Sequence, residues 1–223
     1  LRGEIARGDS VFHDLQGTKE EILKIEDLLK SNKWQVSSYM GKNGTEESFL
    51  NMHGKSPKLL HLATHGFYYT PNRAENVDYL KGYTDAMSLS GLVLSGGNAA
   101  WLGKPLPKGV LGGILSANDI ARLDLSNTDM VVLSACQTGQ GKATSEGLYG
   151  LQRAFKKARV GTIVMSLWNV SDKTTSEFMT TFYERLADKN NGWNKRKAFE
   201  EAKEIIRKKH PDPFHWAAFV MLD

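Results

Sequence analysis

A cysteine and a histidine each follow a short apolar run, and together they could act as a nucleophile and its base. Cys136, the chain's one cysteine, ends the run MVVLSAC, and His65 comes directly after KLLHLAT (58–64). A free thiol is only a few per cent thiolate at neutral pH, so a neighbouring histidine would take its proton or protonate a leaving amine. These residue types are compatible with cysteine-dependent cleavage of an amide bond.

The positions of the two residues favour their meeting. In open α/β sheets, chemistry collects beyond the carboxyl ends of the strands, and neighbouring parallel strands lie about 4.8 Å apart. The separation of 71 residues (136 − 65 = 71) leaves room for a crossover between such strands. The backbone N–H groups of Gly66 and Cys136 could then stabilise an oxyanion, and glycines at 66 and 139 would let a substrate approach closely.

Other roles are compatible with the same residues. An isolated cysteine after an apolar strand is commonly a small buried hydrophobe. The run GQGK (139–142) has the setting of a phosphate loop, but Cys136 stands where that pattern needs glycine and Ala143 where it needs Ser or Thr. His61 and His65 invite a metal site, although four strand residues span roughly 13 Å. We therefore expect no nucleotide and no metal, while the residues alone leave nucleophile and inert thiol both open.

Alternating apolar strands and amphipathic helices must position these two side chains. Buried strands are expected at 58–64, 130–135 and 161–168, a β-like stretch at 34–40 and a closing strand at 214–222. Helices are expected at 18–32, 45–53, 146–158, 174–187 and 194–210. This alternation predicts an α/β layer fold around a mainly parallel central sheet.

Composition places the chain among ordinary globular proteins. It has 223 residues, 40% of them hydrophobic, and a net charge of +4, which fits a single domain over 1–223. One cysteine fits a reducing, cytoplasmic compartment. We expect neither a membrane nor a nucleic-acid partner, because no apolar run approaches about 18 residues and the basic residues of 194–210 alternate with glutamates.

Two features concern the extent and the loops of the chain. It begins at Leu1 rather than methionine, so we expect it to be a piece of a longer protein. Residues 68–86 and 95–113 are rich in Gly, Pro and polar residues. Such stretches within a domain are commonly functional or disordered, so both are expected to be long, mobile loops.

Several blocks of the sequence resemble the CHAT-domain family of caspase-like peptidases, in the same order. They are LLHLATHGFYY (59–69), LVLSGGN (92–98), the long segment 115–186 that contains LSACQTG, and HPDPFHWAAFVML (210–222). The resemblance runs from about residue 12 to the end, and LWNVSDKTT (167–175) is also similar to a block of separase. It implies a caspase–hemoglobinase fold, a three-layer sandwich of sheet and helices. It also implies a His65/Cys136 dyad, an oxyanion donor at Gly66, and a place at the end of a protein with tetratricopeptide repeats.

The sequence departs from the family pattern where substrate would be bound. Gln137 stands where the family often has glutamate. Relatives that cleave after basic residues place an acidic residue in the pocket for the residue before the scissile bond; here the corresponding positions hold Ser134 and Ser176, with Asp172 and Glu177 nearby. The candidates for substrate contact are Ser134, Gln137, Asp172 and Ser176, and the preferred substrate residue stays open.

Two functions therefore compete. The first is a cysteine endopeptidase that cleaves a protein target through Cys136 and His65, needs no cofactor, and is activated by a partner or by an N-terminal repeat domain. The second is a caspase-like module that has lost catalysis and only binds or scaffolds other proteins.

Overall fold

Short strands form the centre of the computed structural model, which describes residues 12–69, 78–134, 145–168 and 170–223. They are β1 (Leu59–Leu62), β2 (His65–Tyr68), β3 (Ser90–Val93), β4 (Ile114–Ser116), β5 (Met130–Leu133), β6 (Thr162–Ser166) and β7 (Phe219–Leu222). The described strands form one sheet in the order β1-β5-β6-β7 and a second in the order β2-β3-β4. In the first sheet β1, β5 and β6 run parallel and β7 is antiparallel, which agrees with the expected mainly parallel sheet.

The described helices include the five expected from the sequence, with ends displaced by a few residues, and three short ones that were not expected, at 97–101, 117–121 and 213–216. They are α1 (Gln16–Ser31), α2 (Glu46–Leu50), α3 (Gly97–Trp101), α4 (Ala117–Ala121), α5 (Ser145–Lys157), α6 (Asp172–Ala187), α7 (Lys195–Lys209) and α8 (Pro213–Trp216). The side chains of Thr45, Ser116, Ser171 and Asn194 each accept a backbone N–H at the start of a helix. Such caps stabilise a helix by about 1 kcal/mol each.

The side chains of the central strands alternate between two apolar clusters. Met130 and Val132 of β5 pack in a cluster with residues of α1, α6 and α7, in which Phe178 stacks on Phe219 at 3.9 Å between ring centroids. Val131 and Leu133 pack in the opposite cluster with residues of α4 and α5. A strand that is apolar on both sides needs helices on both faces of its sheet. The described helices meet that need, so the mixed α/β architecture is present.

The second sheet is an addition that the sequence did not predict. Its strands pair antiparallel, β2 with β3 and β3 with β4. Phe67, Val93 and Ile114 from these strands pack around Trp101 of α3 in a third apolar cluster. The segments HGFY, SGLV and ILS contain at most two consecutive apolar residues, whereas β5 (MVVL) is apolar throughout, so they lack the run that marks a buried strand.

Three expected elements differ from the structure. Residues 34–40 pair with no other strand in the described part of the chain; Trp34 instead stacks on Trp193 at 4.3 Å, and burial of Trp34 and Val36 explains the β-like pattern. The stretch 95–113 contains α3, and the stretch 214–222 divides between the end of α8 and β7. Glycine-rich sequence hid the first of these helices, and four residues are too few to show a helical period for the second.

Candidate active site

His65 lies just beyond the carboxyl end of β1, the first strand in the order of the parallel sheet. β1 ends at Leu62, and His65 begins β2, where it is opposite Val93. The Thr64 hydroxyl donates to the backbone carbonyl of Val93, which fixes the bend between the two strands. The expectation that His65 follows a strand is confirmed, but only Leu60 of that strand is buried, because β1 lies at the end of the sheet order among the described strands. Gly66 is buried opposite Leu92.

The neighbour of β1 is β5, the strand that leads towards Cys136. The two strands are parallel, with Leu62 opposite Leu133, and the backbone N–H of Ser134 donates to the Leu62 carbonyl at 3.0 Å. Ser134 itself is buried. Cys136, Gln137 and Gly139 lie outside the described residues, so the dyad, the Cys136 oxyanion donor and a substrate contact at Gln137 stay predictions.

The imidazole of His65 is held by a segment that precedes the first helix. Its Nε2 lies 2.6 Å from the backbone carbonyl of His13. A carbonyl can only accept a hydrogen bond, so Nε2 carries the proton in this arrangement. The ring of Phe12 lies 5.3 Å from the imidazole, between centroids, and 5.1 Å from Trp101. One face and one nitrogen of His65 are thus set by Phe12 and His13.

Asn98 of α3 holds the backbone of Phe12 through two hydrogen bonds. The Phe12 N–H donates to Asn98 Oδ1 at 2.7 Å, and Asn98 Nδ2 donates to the Phe12 carbonyl at 3.0 Å. Phe12, His13 and Asn98 were not among the residues predicted for the site. The only sequence signal for any of them was Asn98, which ends the family-like block LVLSGGN.

Glycines fix the place of α3 beside this segment. A Cβ on Gly97 would lie 2.9 Å from the Gly113 carbonyl and would overlap Val93, and a Cβ on Gly113 would lie 2.6 Å from the Gly97 nitrogen. The φ angles of Gly96 and Gly113 are +88° and +148°, which side chains disfavour. These three glycines therefore let the backbones cross closely, and this crossing fixes the start of α3.

Aromatic rings surround Trp101 under the Phe12 segment. Trp101 is 2% exposed, and the rings of Phe12, Phe67 and Tyr69 lie within 5.1–5.5 Å of it. Tyr79 stacks on Trp101 at 6.2 Å, and burial raises the pKa of its hydroxyl to about 12. Aromatic pairs of this kind contribute about 0.5–1.5 kcal/mol beyond their buried area. The five rings therefore form a packed aromatic platform, and its Phe12 ring lies against His65.

Two further substrate-contact candidates lie on α6, which follows β6. Because β6 is parallel to β5, Asp172 and Ser176 follow a strand that ends at the same edge of the sheet as β1 and β5. The Asp172 Cβ is 3.6 Å from the position that a Cβ would take on Gly17 of α1, so this end of α6 packs on α1. The structure thus places both residues at the expected edge, and their contact with a substrate stays a prediction.

Glu177, beside Ser176, has a structural partner. Its Oε2 lies 2.8 Å from Nε2 of His210, the residue that ends α7. That hydrogen bond, assisted by the positive charge of His210, lowers the pKa of the Glu177 carboxyl below its usual value. The pair joins α6 to the end of α7.

His61, four residues before His65, faces a different environment. Its Nε2 lies 2.9 Å from Glu21 Oε1 of α1, and its Nδ1 lies 3.0 Å from the Tyr183 hydroxyl of α6. Burial and the Glu21 charge raise the Tyr183 pKa well above its ordinary value, so the hydroxyl stays protonated and donates to Nδ1. Both ring nitrogens of His61 thus have protein partners. In the described ranges, no three His, Cys, Asp or Glu side chains are grouped to hold a metal ion.

Comparison with known proteins identifies what the chain resembles. A family model described as "CHAT domain" matches residues 5–223. Two relatives named "Tetratricopeptide repeat protein 28", from Mus musculus and Homo sapiens, are each 32% identical over 111 residues, which is 49% of this chain. The matched part is 4% of the length of each relative. None of the helices described here is long and apolar enough to cross a membrane.

Proposed function

The chain belongs to the CHAT-domain family, and from that premise we propose that it is a cysteine endopeptidase with a caspase–hemoglobinase-like sandwich fold. Cys136 is the nucleophile and His65 its base, and the target is a peptide bond of another protein. The family match supports the class, and the arrangement of the strands around His65 supports the choice of residues.

One observation carries the pairing of the two residues. β1 and β5 are parallel neighbours whose register joins Leu62 to Leu133, an offset of 71 residues (133 − 62 = 71). The same offset separates His65 from Cys136 in the sequence. The Ser134 N–H still donates to the Leu62 carbonyl, so the two segments remain hydrogen-bonded one residue beyond the end of β5. This register supports a meeting of His65 and Cys136 just past the strand ends.

The hydrogen bond of His65 to His13 supports Nδ1 as the nitrogen that acts as base. Because Nε2–H donates to the His13 carbonyl, the neutral ring has its lone pair on Nδ1. Nδ1 would take the thiol proton of Cys136, and the imidazolium would keep its second N–H on the carbonyl. A hydrogen bond from a charged ring is stronger than one from a neutral ring, so the arrangement favours proton transfer.

The chemical steps then follow those of a cysteine peptidase. The thiolate attacks the substrate carbonyl, and the backbone N–H groups of Gly66 and Cys136 stabilise the tetrahedral oxyanion. The imidazolium of His65 protonates the leaving amine as the C–N bond breaks, which leaves a thioester. A water that gives its proton to His65 hydrolyses the thioester, releases the carboxyl product and restores the thiol.

Substrate recognition is assigned to the edge where the parallel strands end. The candidates there are Ser134, Gln137, Asp172 and Ser176. Only Asp172 carries a charge, so the other three would contact the substrate through neutral polar groups. The named relatives carry tetratricopeptide repeats in their names, which supports an activating repeat domain or partner. The single cysteine supports a reducing, cytoplasmic setting.

Cleavage of a peptide library by the wild-type chain and by Cys136→Ala tests this function. We expect specific cleavage by the wild type, mapped by mass spectrometry, and none by Cys136→Ala. If both proteins cleave the same bonds at the same rate, the activity does not belong to Cys136 and the proposal fails.

A binding module without catalysis is the second candidate. The observation that favours it is the cover over His65, whose ring is packed against Phe12 and bonded to His13. Thiol labelling separates the two functions. A peptidase predicts that Cys136 reacts with iodoacetamide faster than a model thiol and that His65→Gln removes the difference. A rate equal to that of the model thiol in both proteins supports the binding module.

A further inference from the structure

We propose that Asn98 is a positioning residue for His65, and that it acts through the N-terminal strap, residues 12–15. The proposal rests on the function above, in which His65 is the base. Asn98 holds the Phe12 backbone at 2.7 and 3.0 Å, and the next residue, His13, supplies the carbonyl that accepts from His65 Nε2. Asn98 and His65 therefore bind adjacent residues of the strap, Phe12 and His13.

Both hydrogen bonds of Asn98 are needed to set the strap. A side-chain amide has an NH2 group that donates and an oxygen that accepts, and here these bind the carbonyl and the N–H of one residue, Phe12. A slide of the strap by one residue would break both bonds and move the His13 carbonyl away from the imidazole. The Phe12 ring adds a second restraint, because it packs against both His65 and the buried Trp101.

Asn98 can act in this way because its own position is fixed. It is the second residue of α3, directly after Gly97, whose backbone lies too close to Val93 and Gly113 for any side chain. Three residues later, Trp101 fixes the same helix in the aromatic cluster. The amide is thus held by the same packing that forms the platform under His65.

The expected chemical effect is on catalysis and not on substrate binding. Without Asn98 the His13 carbonyl loses its place, and the imidazolium loses a hydrogen bond. A hydrogen bond to a charged group corresponds to a rate change of about 10- to 100-fold. We therefore expect kcat to fall by about that factor in Asn98→Ala, while KM changes by less than about twofold, because the Asn98 amide is bonded to the Phe12 backbone and is assigned no contact with the substrate.

The matched variants are Asn98→Ala, Asn98→Asp and, as control, Asn118→Ala. Asp keeps the shape of Asn98 and one acceptor but cannot donate to the Phe12 carbonyl. If Asn98→Ala does not fold, Asn98→Asp alone provides the test. Asn118 is likewise near the start of a short helix, and its Nδ2 donates to Ser88 Oγ at 2.7 Å.

The direct measurement is the ¹H–¹⁵N NMR signal of the His65 Nε2–H, assigned by its disappearance in His65→Gln. A hydrogen-bonded imidazole proton exchanges slowly, so we expect a visible signal in the wild type and in Asn118→Ala. We expect it to broaden or vanish in both Asn98 variants. Steady-state cleavage measured on the same samples should show the fall in kcat.

Three results would overturn the proposal. They are an unchanged signal with unchanged kcat in a folded Asn98 variant, a fall in kcat with an unchanged signal, and a lost signal with unchanged kcat. The NMR comparison needs no peptidase activity. If Cys136 proves not to be a nucleophile, the proposed function fails, and the signal still shows whether Asn98 orients His65 through the strap.

Discussion

The imidazole of His61 joins Glu21 and Tyr183 inside the core, with Nε2 2.9 Å from the Glu21 carboxylate and Nδ1 3.0 Å from the Tyr183 hydroxyl. Glu21 belongs to α1, His61 to β1 and Tyr183 to α6. The side chain of Glu21 is fully buried and that of His61 is 9% exposed. This polar link fastens the first helix to the strand that leads to His65.

Removal of one partner from this link should destabilise the fold strongly. His61→Leu leaves the Glu21 carboxylate buried without its hydrogen bond to the imidazole, so we expect the free energy of unfolding to fall by about 3–5 kcal/mol. The double variant Glu21→Leu/His61→Leu should lose less than His61→Leu alone, because the buried carboxylate is removed together with the imidazole that it binds. Urea unfolding of the single and double variants measures this difference. Losses that simply add would show that the two side chains are not coupled.

The proposed dyad predicts different losses for its two members. Cys136→Ala removes the nucleophile and should abolish cleavage. His65→Gln removes the base, and general acid–base catalysis supports a fall in kcat/KM of about 10²- to 10⁴-fold. The control is His53→Gln, because His53 only accepts a hydrogen bond from the Asp124 N–H in a surface turn. Equal cleavage by His65→Gln and wild type would remove His65 from the mechanism.

Glu177 should make the fold sensitive to acid. Its pKa in the folded protein lies below the ordinary value of a glutamate, chiefly because of the His210 hydrogen bond. A carboxylate with a lowered folded pKa stabilises the protein above its unfolded pKa, and this stabilisation is lost as pH falls through the folded pKa. We expect Glu177→Gln to lose urea stability at about pH 6 and to differ little from wild type below the folded pKa.

The comparison for that titration is Glu200→Gln, on the exposed side of α7. It should follow the wild-type curve at every pH. If Glu177→Gln and wild type keep the same stability difference from about pH 6 to about pH 2, the ion pair with His210 does not supply the pH dependence.

The close crossing of backbones at α3 predicts a large effect of one methyl group. Gly97→Ala would press against Val93 and the Gly113 carbonyl, so we expect a loss of about 1–3 kcal/mol of unfolding free energy. Because α3 would shift, kcat should fall as well. Gly17→Ala is the matched control: its new Cβ would meet Asp172 at an ordinary 3.6 Å inside α1. Equal unfolding midpoints for the two variants would contradict the steric argument.

The sequence was sufficient for the parts of the fold that repeat a period. Long amphipathic segments predicted α6 and α7, and continuous apolar runs predicted β1, β5 and β6, because these patterns reflect burial along one element. They also placed His65 correctly, just beyond the end of β1. Its pairing with Cys136 stays a prediction.

The remaining parts of the site depend on contacts between distant segments. The carbonyl that holds His65 comes from His13, 52 residues earlier, and Asn98 meets Phe12 across 86 residues. A backbone carbonyl carries no side-chain signal, so no residue pattern could have indicated it. Trp34 shows the reverse case, in which an apolar pattern typical of a strand comes from packing on Trp193.

The residues that hold His65 lie before the first helix of the domain. A shortened protein that is designed to begin at the first helix would start at Gln16. The helices, both sheets and the buried Glu21–His61 link would all be retained. The acceptor for His65 would be gone, so under the proposed function such a protein should fold and yet cleave about 10- to 100-fold more slowly. Low activity of a protein shortened in this way would then say little about the activity of the intact chain.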